Sequence, residues 1–203
     1  PLTDVELKEY LAEEHNELLQ RWVILEPLDR DVYSLETRSR DLVKRMLAAK
    51  IGNADGIFVP HPFDKAHGLM EPDGTPGPLL LPWRTAAEML AGASYLGTIV
   101  LPNRSSNYVF ERDGEAIMVV WNSVPTKEQL YLGDEVFQID LWGNKSPATF
   151  VEDRDGFVQQ IIEVGTLPVF LTGVNSIIAR WRMSLEFETK KLESVFGQRQ
   201  RIS

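Results

Sequence analysis

At 203 residues, 43% apolar and 25% charged, the chain is long enough to bury a substantial core, in one domain or two small ones. A net charge of −9, with no broad face of Lys and Arg, argues against nucleic acid as a partner. Cysteine is absent, which excludes disulfide staples and thiolate metal sites without fixing a compartment, and no apolar run approaches the roughly 20 residues of a membrane span.

Residues 3–21 open with a capping box, Thr3 with Glu6, and continue with Leu7, Tyr10, Leu11, Leu18 and Leu19 at helical spacing, which predicts an amphipathic helix. Glu13, Glu14 and His15 read as its solvated face rather than as a metal or acid/base site. Trp22-Val23-Ile24-Leu25, stopped by Glu26-Pro27, predicts a strand buried on both faces. Residues 36–51 predict a helix with Leu42, Val43, Met46 and Leu47 on one side and Arg38, Arg40, Lys44 and Arg45 largely on the other. After Gly52-Asn53 and the turn Asp55-Gly56, Ile57-Phe58-Val59 predicts a second buried strand. Residues 22–59 are thus expected to form a strand, helix, strand unit with a parallel pair. A lone parallel pair leaves its edges unpaired, so the chain is expected to be a piece of something longer, with the further strands upstream.

The stretch 60–82 is rich in proline and glycine and leaves the carboxyl end of a parallel strand, a position where long loops often carry function. His61, Asp64 and His67 in it are candidate substrate-lining residues. Their loose loop spacing gives little support to a metal set, and ordinary loop polarity is the competing reading. Trp83 to Ala93 predicts a helix, and the Trp83 ring is a candidate platform for a sugar face. From Tyr95 onward, short β-rich runs are broken by Asp113-Gly114, Ser123-Val124-Pro125 and Gly133-Asp134. Further runs follow at Thr149-Phe150-Val151, Phe157 to Val164 and Val169-Phe170-Leu171. Strands turning about every 8 to 12 residues predict an antiparallel β-sandwich, with Trp121 and Trp142 in its packing rather than on sugar. Ile177 to Phe187 alternates in part and predicts a strand.

Several stretches together carry a resemblance: GLMEPDGTPGP, LPWRTAAEMLAGASYLG, VFERDGEAIMVVWN, LYLGDEVFQIDLWGN and IEVGTLPVFLTGV. From Trp22 to Val174 the chain resembles the carboxyl-terminal part of a bacterial glycoside-hydrolase-like (β/α)₈ barrel followed by its β-sandwich. The resemblance implies an α+β chain in three parts: an incomplete barrel end over 1–94, an antiparallel β-sandwich over 95–174, and a linker or the start of a further β module over 175–203. It makes Glu26, at the end of a barrel strand, the candidate catalytic nucleophile. A retaining glycosidase needs a second carboxylate about 5 to 5.5 Å away, which in such barrels comes from an earlier strand, so the fragment is expected to be inactive alone. Glu26 before Pro27 also suits a structural strand end. The implied partners are a carbohydrate and the rest of the barrel, from the parent chain or another subunit. No cofactor is implied, and the implied location is extracellular or periplasmic. The alternative is a non-catalytic carbohydrate-binding or structural module of a large exported protein.

Overall fold

The computed structural model describes residues 1–13, 20–152 and 156–184. Helix α1 (Asp4–Ala12) starts at the expected capping box, in which the Thr3 hydroxyl accepts from the Glu6 N–H and the Glu6 carboxylate accepts from the Thr3 N–H. Leu18, Leu19, Glu14 and His15 lie outside the described residues. Strand β1 (Trp22–Ile24), helix α2 (Leu35–Ile51) and strand β2 (Gly56–Phe58) form the expected unit. The two strands run parallel, with Trp22, Val23 and Ile24 opposite Gly56, Ile57 and Phe58.

Two expectations for this unit fail. The strands are buried on one face only: Val23 and Leu25 pack against α2, whereas Trp22 is 63%, Ile24 69% and Phe58 45% exposed. The helices supply one covering layer, and among the described residues nothing covers the other face. Arg38 and Arg45 do not share a solvated side with Arg40 and Lys44. They are 6% and 2% exposed, because main-chain carbonyls past β1 accept their N–H groups.

Helix α3 (Leu80–Leu90) begins ahead of the expected Trp83. Pro82 lies in its first turn, where a missing N–H costs no intrahelical bond.

The remaining strands are β3 (Ser94–Gly97), β4 (Ser106–Arg112), β5 (Glu115–Trp121), β6 (Thr126–Leu130), β7 (Phe137–Ile139), β8 (Lys145–Pro147), β9 (Thr149–Glu152), β10 (Val158–Val164) and β11 (Val169–Val174). They make a six-stranded antiparallel sheet in the order β3-β4-β5-β11-β7-β8 and a three-stranded one in the order β6-β10-β9. The hairpin β4–β5 turns on Asp113-Gly114, both at positive φ (54° and 83°), as that dipeptide requires.

The six-stranded sheet is a middle layer. Its Phe110, Ile117, Val119 and Phe170 join Leu42, Leu47, Ala86 and Leu90 of α2 and α3 in one apolar cluster. Alternating with them, Val109, Met118, Val120 and Leu171 join Leu130, Ile162 and Val164 of the three-stranded sheet in a second. The central strands are therefore covered on both sides, so the antiparallel half shares its core with the helices instead of leaving one face wet. The described residues form a mixed α/β structure with several antiparallel sheets and no closed barrel.

Buried polar side chains fix the loops at the rim of the second cluster. Asn107 exchanges bonds with the Ile99 main chain, accepting at 2.8 Å and donating at 2.7 Å. Gln160 does the same for Leu132 and Gly133. The Glu128 carboxylate, 1% exposed, accepts from the N–H groups of Asn103 (2.9 Å) and Ser105 (3.1 Å). Gly173 has φ +70°, and a Cβ there would come within 2.0 Å of the Glu135 carbonyl oxygen, so no other residue fits this bulge.

The segment expected as a strand from Ile177 is helical instead: α4 spans Ser176–Ser184. The Asn175 side chain accepts from Ile177 N–H and Ile178 N–H and so caps its start. The expected strand's last residues, beyond Ser184, lie outside the described ones.

Candidate functional site at the carboxyl ends of the parallel strands

The last ladder bond between the parallel strands runs from Leu25 N–H to Phe58 O at 2.7 Å. One residue later the chain exposes Glu26, and past β2 it exposes His61, which is held at φ 45°. Both line a cavity of about 350 Å³, with Ile24, Leu25, Arg45 and Pro60 among its walls. Glu26 is the one carboxylate lining it among the described residues. Glu26 and His61, which stand in two separate loops, thus border the same cavity.

Asp64 and His67 form a separate turn. The Asp64 carboxylate accepts from Ala66 N–H (2.9 Å) and His67 N–H (2.8 Å) and lies 3.1 Å from His67 Nδ1. The His67 N–H, then the Ala66 N–H, hold its pKa below the ordinary aspartate value. This is the economy of an Asx-type turn, and neither residue lines the cavity with Glu26. Among the described residues no three His, Asp or Glu side chains are grouped so as to hold a metal ion. Trp83 is half-buried on α3 and packs against the first apolar cluster, away from the cavity lining. Trp121 packs there too, with its ring centroid 5.2 Å from that of Tyr108 and Lys44 Nζ 5.7 Å above it. Trp142 stays partly exposed.

Three arginines that the sequence reading did not single out hold the loops around the cavity. Arg45 Nη2 donates to the Glu26 carbonyl at 2.8 Å while its Nε donates to Asp41 Oδ2 at 2.9 Å. Arg38 Nε donates to the Leu28 carbonyl at 2.8 Å and its Nη2 reaches Ala66 O at 3.5 Å. Arg30 donates to Lys65 O at 2.9 Å and pairs through both terminal nitrogens with Glu71 at 3.2 and 3.1 Å. The loop after β1 and the loop after β2 are stapled together by main-chain acceptors. One signal was present in the sequence: Arg38 and Arg45 stand two helical turns apart and so share a face.

No protein-family model and no curated protein matches the sequence. Solved structures do match. A family 39 glycoside hydrolase from the gut symbiont Bacteroides cellulosilyticus WH2 aligns over 82% of this chain and 36% of its own, with a TM-score of 0.61 at 17% identity. A family 30 subfamily 8 xylanase from Clostridium acetobutylicum aligns over 75% and 42%, at TM-score 0.53 and 12% identity. A GH30 endoxylanase from Clostridium papyrosolvens C71 aligns over 75% and 41%, at TM-score 0.51 and 13% identity. The fold is glycoside-hydrolase-like. The chain spans about two fifths or less of the length of these structures.

Proposed function

We propose that this chain is part of a glycoside-hydrolase-like, carbohydrate-active protein, and that Glu26 is its nucleophilic carboxylate. In this reading β1 and β2 are strands of a (β/α)₈ barrel. The bare face of Trp22, Ile24 and Phe58 is covered by further parallel strands, from the rest of a longer chain or another subunit. The two antiparallel sheets serve as the attached β-sandwich. The observation that carries the reading is the position of Glu26, one residue past the last ladder bond of a parallel strand and open to a cavity shared with His61. The fold likeness to family 39 and family 30 hydrolases supports it.

The chemistry would run in two displacements. The Glu26 carboxylate attacks the anomeric carbon while the glycosidic oxygen leaves, protonated by a second carboxyl group about 5 to 5.5 Å away; water then cleaves the glycosyl ester. His61 borders the bound sugar. The second carboxyl group must come from the completing strands, so the isolated chain turns nothing over. In the completed protein, Glu26→Gln should lower turnover by orders of magnitude with a far smaller change in substrate affinity, since a lost covalent step acts on the rate constant. Near-normal turnover would remove the reading.

One observation favours a second reading, a non-catalytic carbohydrate-binding module. On the antiparallel half, Tyr131, Asp134, Phe157, Gln159 and Arg182 line a shallow cavity of about 520 Å³, within the size range of ligand sites. Polysaccharide binding by this chain that Phe157→Ala abolishes and Glu26→Gln spares would favour it.

A further inference from the structure

We infer that Arg45, assisted by Arg38, is a positioning residue for Glu26: the two buried guanidinium groups of α2 fix the main chain that carries this carboxylate. The inference rests on the reading of Glu26 as the working group, and it names what holds that group in place. Beyond Leu25 the chain leaves the ladder, and Pro27 brings no N–H of its own. The carbonyls of Glu26 and Leu28 then face inward, and α2 supplies their donors: Arg45 to the first and Arg38 to the second, each at 2.8 Å.

Cations are a costly way to satisfy two carbonyls. Arg45 is 2% and Arg38 6% exposed. Arg45 is neutralised by Asp41, whereas Arg38 forms no carboxylate bridge among the described residues and its acceptors are main-chain oxygens. Burial accordingly lowers the pKa of Arg38. Apolar side chains of similar volume commonly serve stability as well or better at such positions. What apolar residues cannot supply is a planar fork at fixed length and angle. Held from both sides of Pro27, the residue 26 backbone keeps its side chain at the wall of the cavity bordered by His61. Arg38 also reaches Ala66 O, which ties the same support to the loop that carries His61.

The test is made on this chain without substrate, by NMR with ¹³C-labelled glutamate, the Glu26 carboxyl signal being assigned through Glu26→Gln. In Arg45→Met the Glu26 carboxyl signal should shift from its wild-type position, because the main chain that carries it is released. Its amide order parameter should fall from about 0.85, typical of rigid backbone, to below about 0.6. Val43→Ala, a buried deletion on the same helix, should lower the melting temperature while leaving both signals in place, and Arg45→Lys should return them part of the way. In the completed protein, Arg45→Met should lower kcat several-fold and leave KM within about twofold, the pattern of an interaction made in the transition state. If Arg45→Met fails to fold, Asp41→Asn, which frees the guanidinium without removing it, is read in the same way. Unmoved Glu26 signals in the folded variant overturn the inference, as do equal shifts in Val43→Ala. If the signals move as expected but Glu26→Gln turns over normally, the support stands and only the catalytic reading of Glu26 falls.

Discussion

Replacing Glu128 by Ala tests the loop support of the second apolar cluster. The buried carboxylate satisfies two N–H groups, and the substitution leaves both without an acceptor. Ser105 is 4% exposed, so its N–H loses a partner where water cannot replace it, at about 1 to 3 kcal/mol. Asn103 is more exposed and recovers part of its loss by hydration, leaving about 1 kcal/mol. The sum is about 2 to 4 kcal/mol, or a fall in Tm of roughly 4 to 16 °C for a chain of this size. Glu128→Gln keeps one acceptor oxygen and should cost about half as much. Urea melts followed by tryptophan fluorescence and far-UV circular dichroism give the difference, with an unchanged slope expected. A loss below about 1 kcal/mol for Glu128→Ala would show that these two bonds do not hold the loop, and would refute the reasoning.

Two other predictions concern the amino-terminal half. The Asp64 pKa is depressed in the folded chain, so its turn adds stability above the ordinary aspartate value and loses it as pH falls through the folded one. Protection of the Ala66 and His67 amides, their exchange rate relative to the intrinsic rate at each pH, should therefore fall below about pH 4, and Asp64→Ala should lack that protection already at neutral pH; protection unchanged with pH would contradict the assignment. The bare face of the parallel pair should make the chain self-associate in sedimentation experiments. Trp22→Ser with Ile24→Ser should weaken that association while changing stability by no more than about 0.5 kcal/mol, since both side chains are exposed. A wild-type chain that stays monomeric over a wide concentration range would count against an incomplete sheet.

Local signals in the sequence were dependable where one or two side chains decide the backbone. Thr3 with Glu6 starts α1, Asp113-Gly114 turns the β4–β5 hairpin, and the apolar runs around Val23 and Ile57 give the parallel pair. Layering was harder to read. The run from Ala116 to Val120 is apolar without alternation, the mark of a strand covered on both sides, but the helices and the sheet that cover it come from segments distant in sequence. Trp181 and Met183 alternate like strand residues, but the Asn175 cap decides for helix. Arg38 and Arg45 looked solvated because charge ordinarily is. Their burial follows from carbonyls that a different segment leaves unpaired, which no local pattern reveals. The same holds for the site: Glu26 was legible as a strand end, and the cavity it shares with His61 depended on the parallel register.

The central claim is tested most directly by trapping. The completed protein, incubated with an activated 2-deoxy-2-fluoro glycoside that forms the glycosyl ester but hydrolyses slowly, is digested and its peptides are weighed by mass spectrometry. The account predicts one added sugar on the peptide containing Glu26, lost in Glu26→Gln, with inactivation in step with labelling. Inactivation accompanied by a label on any other carboxylate, with Glu26 unmodified, would contradict it.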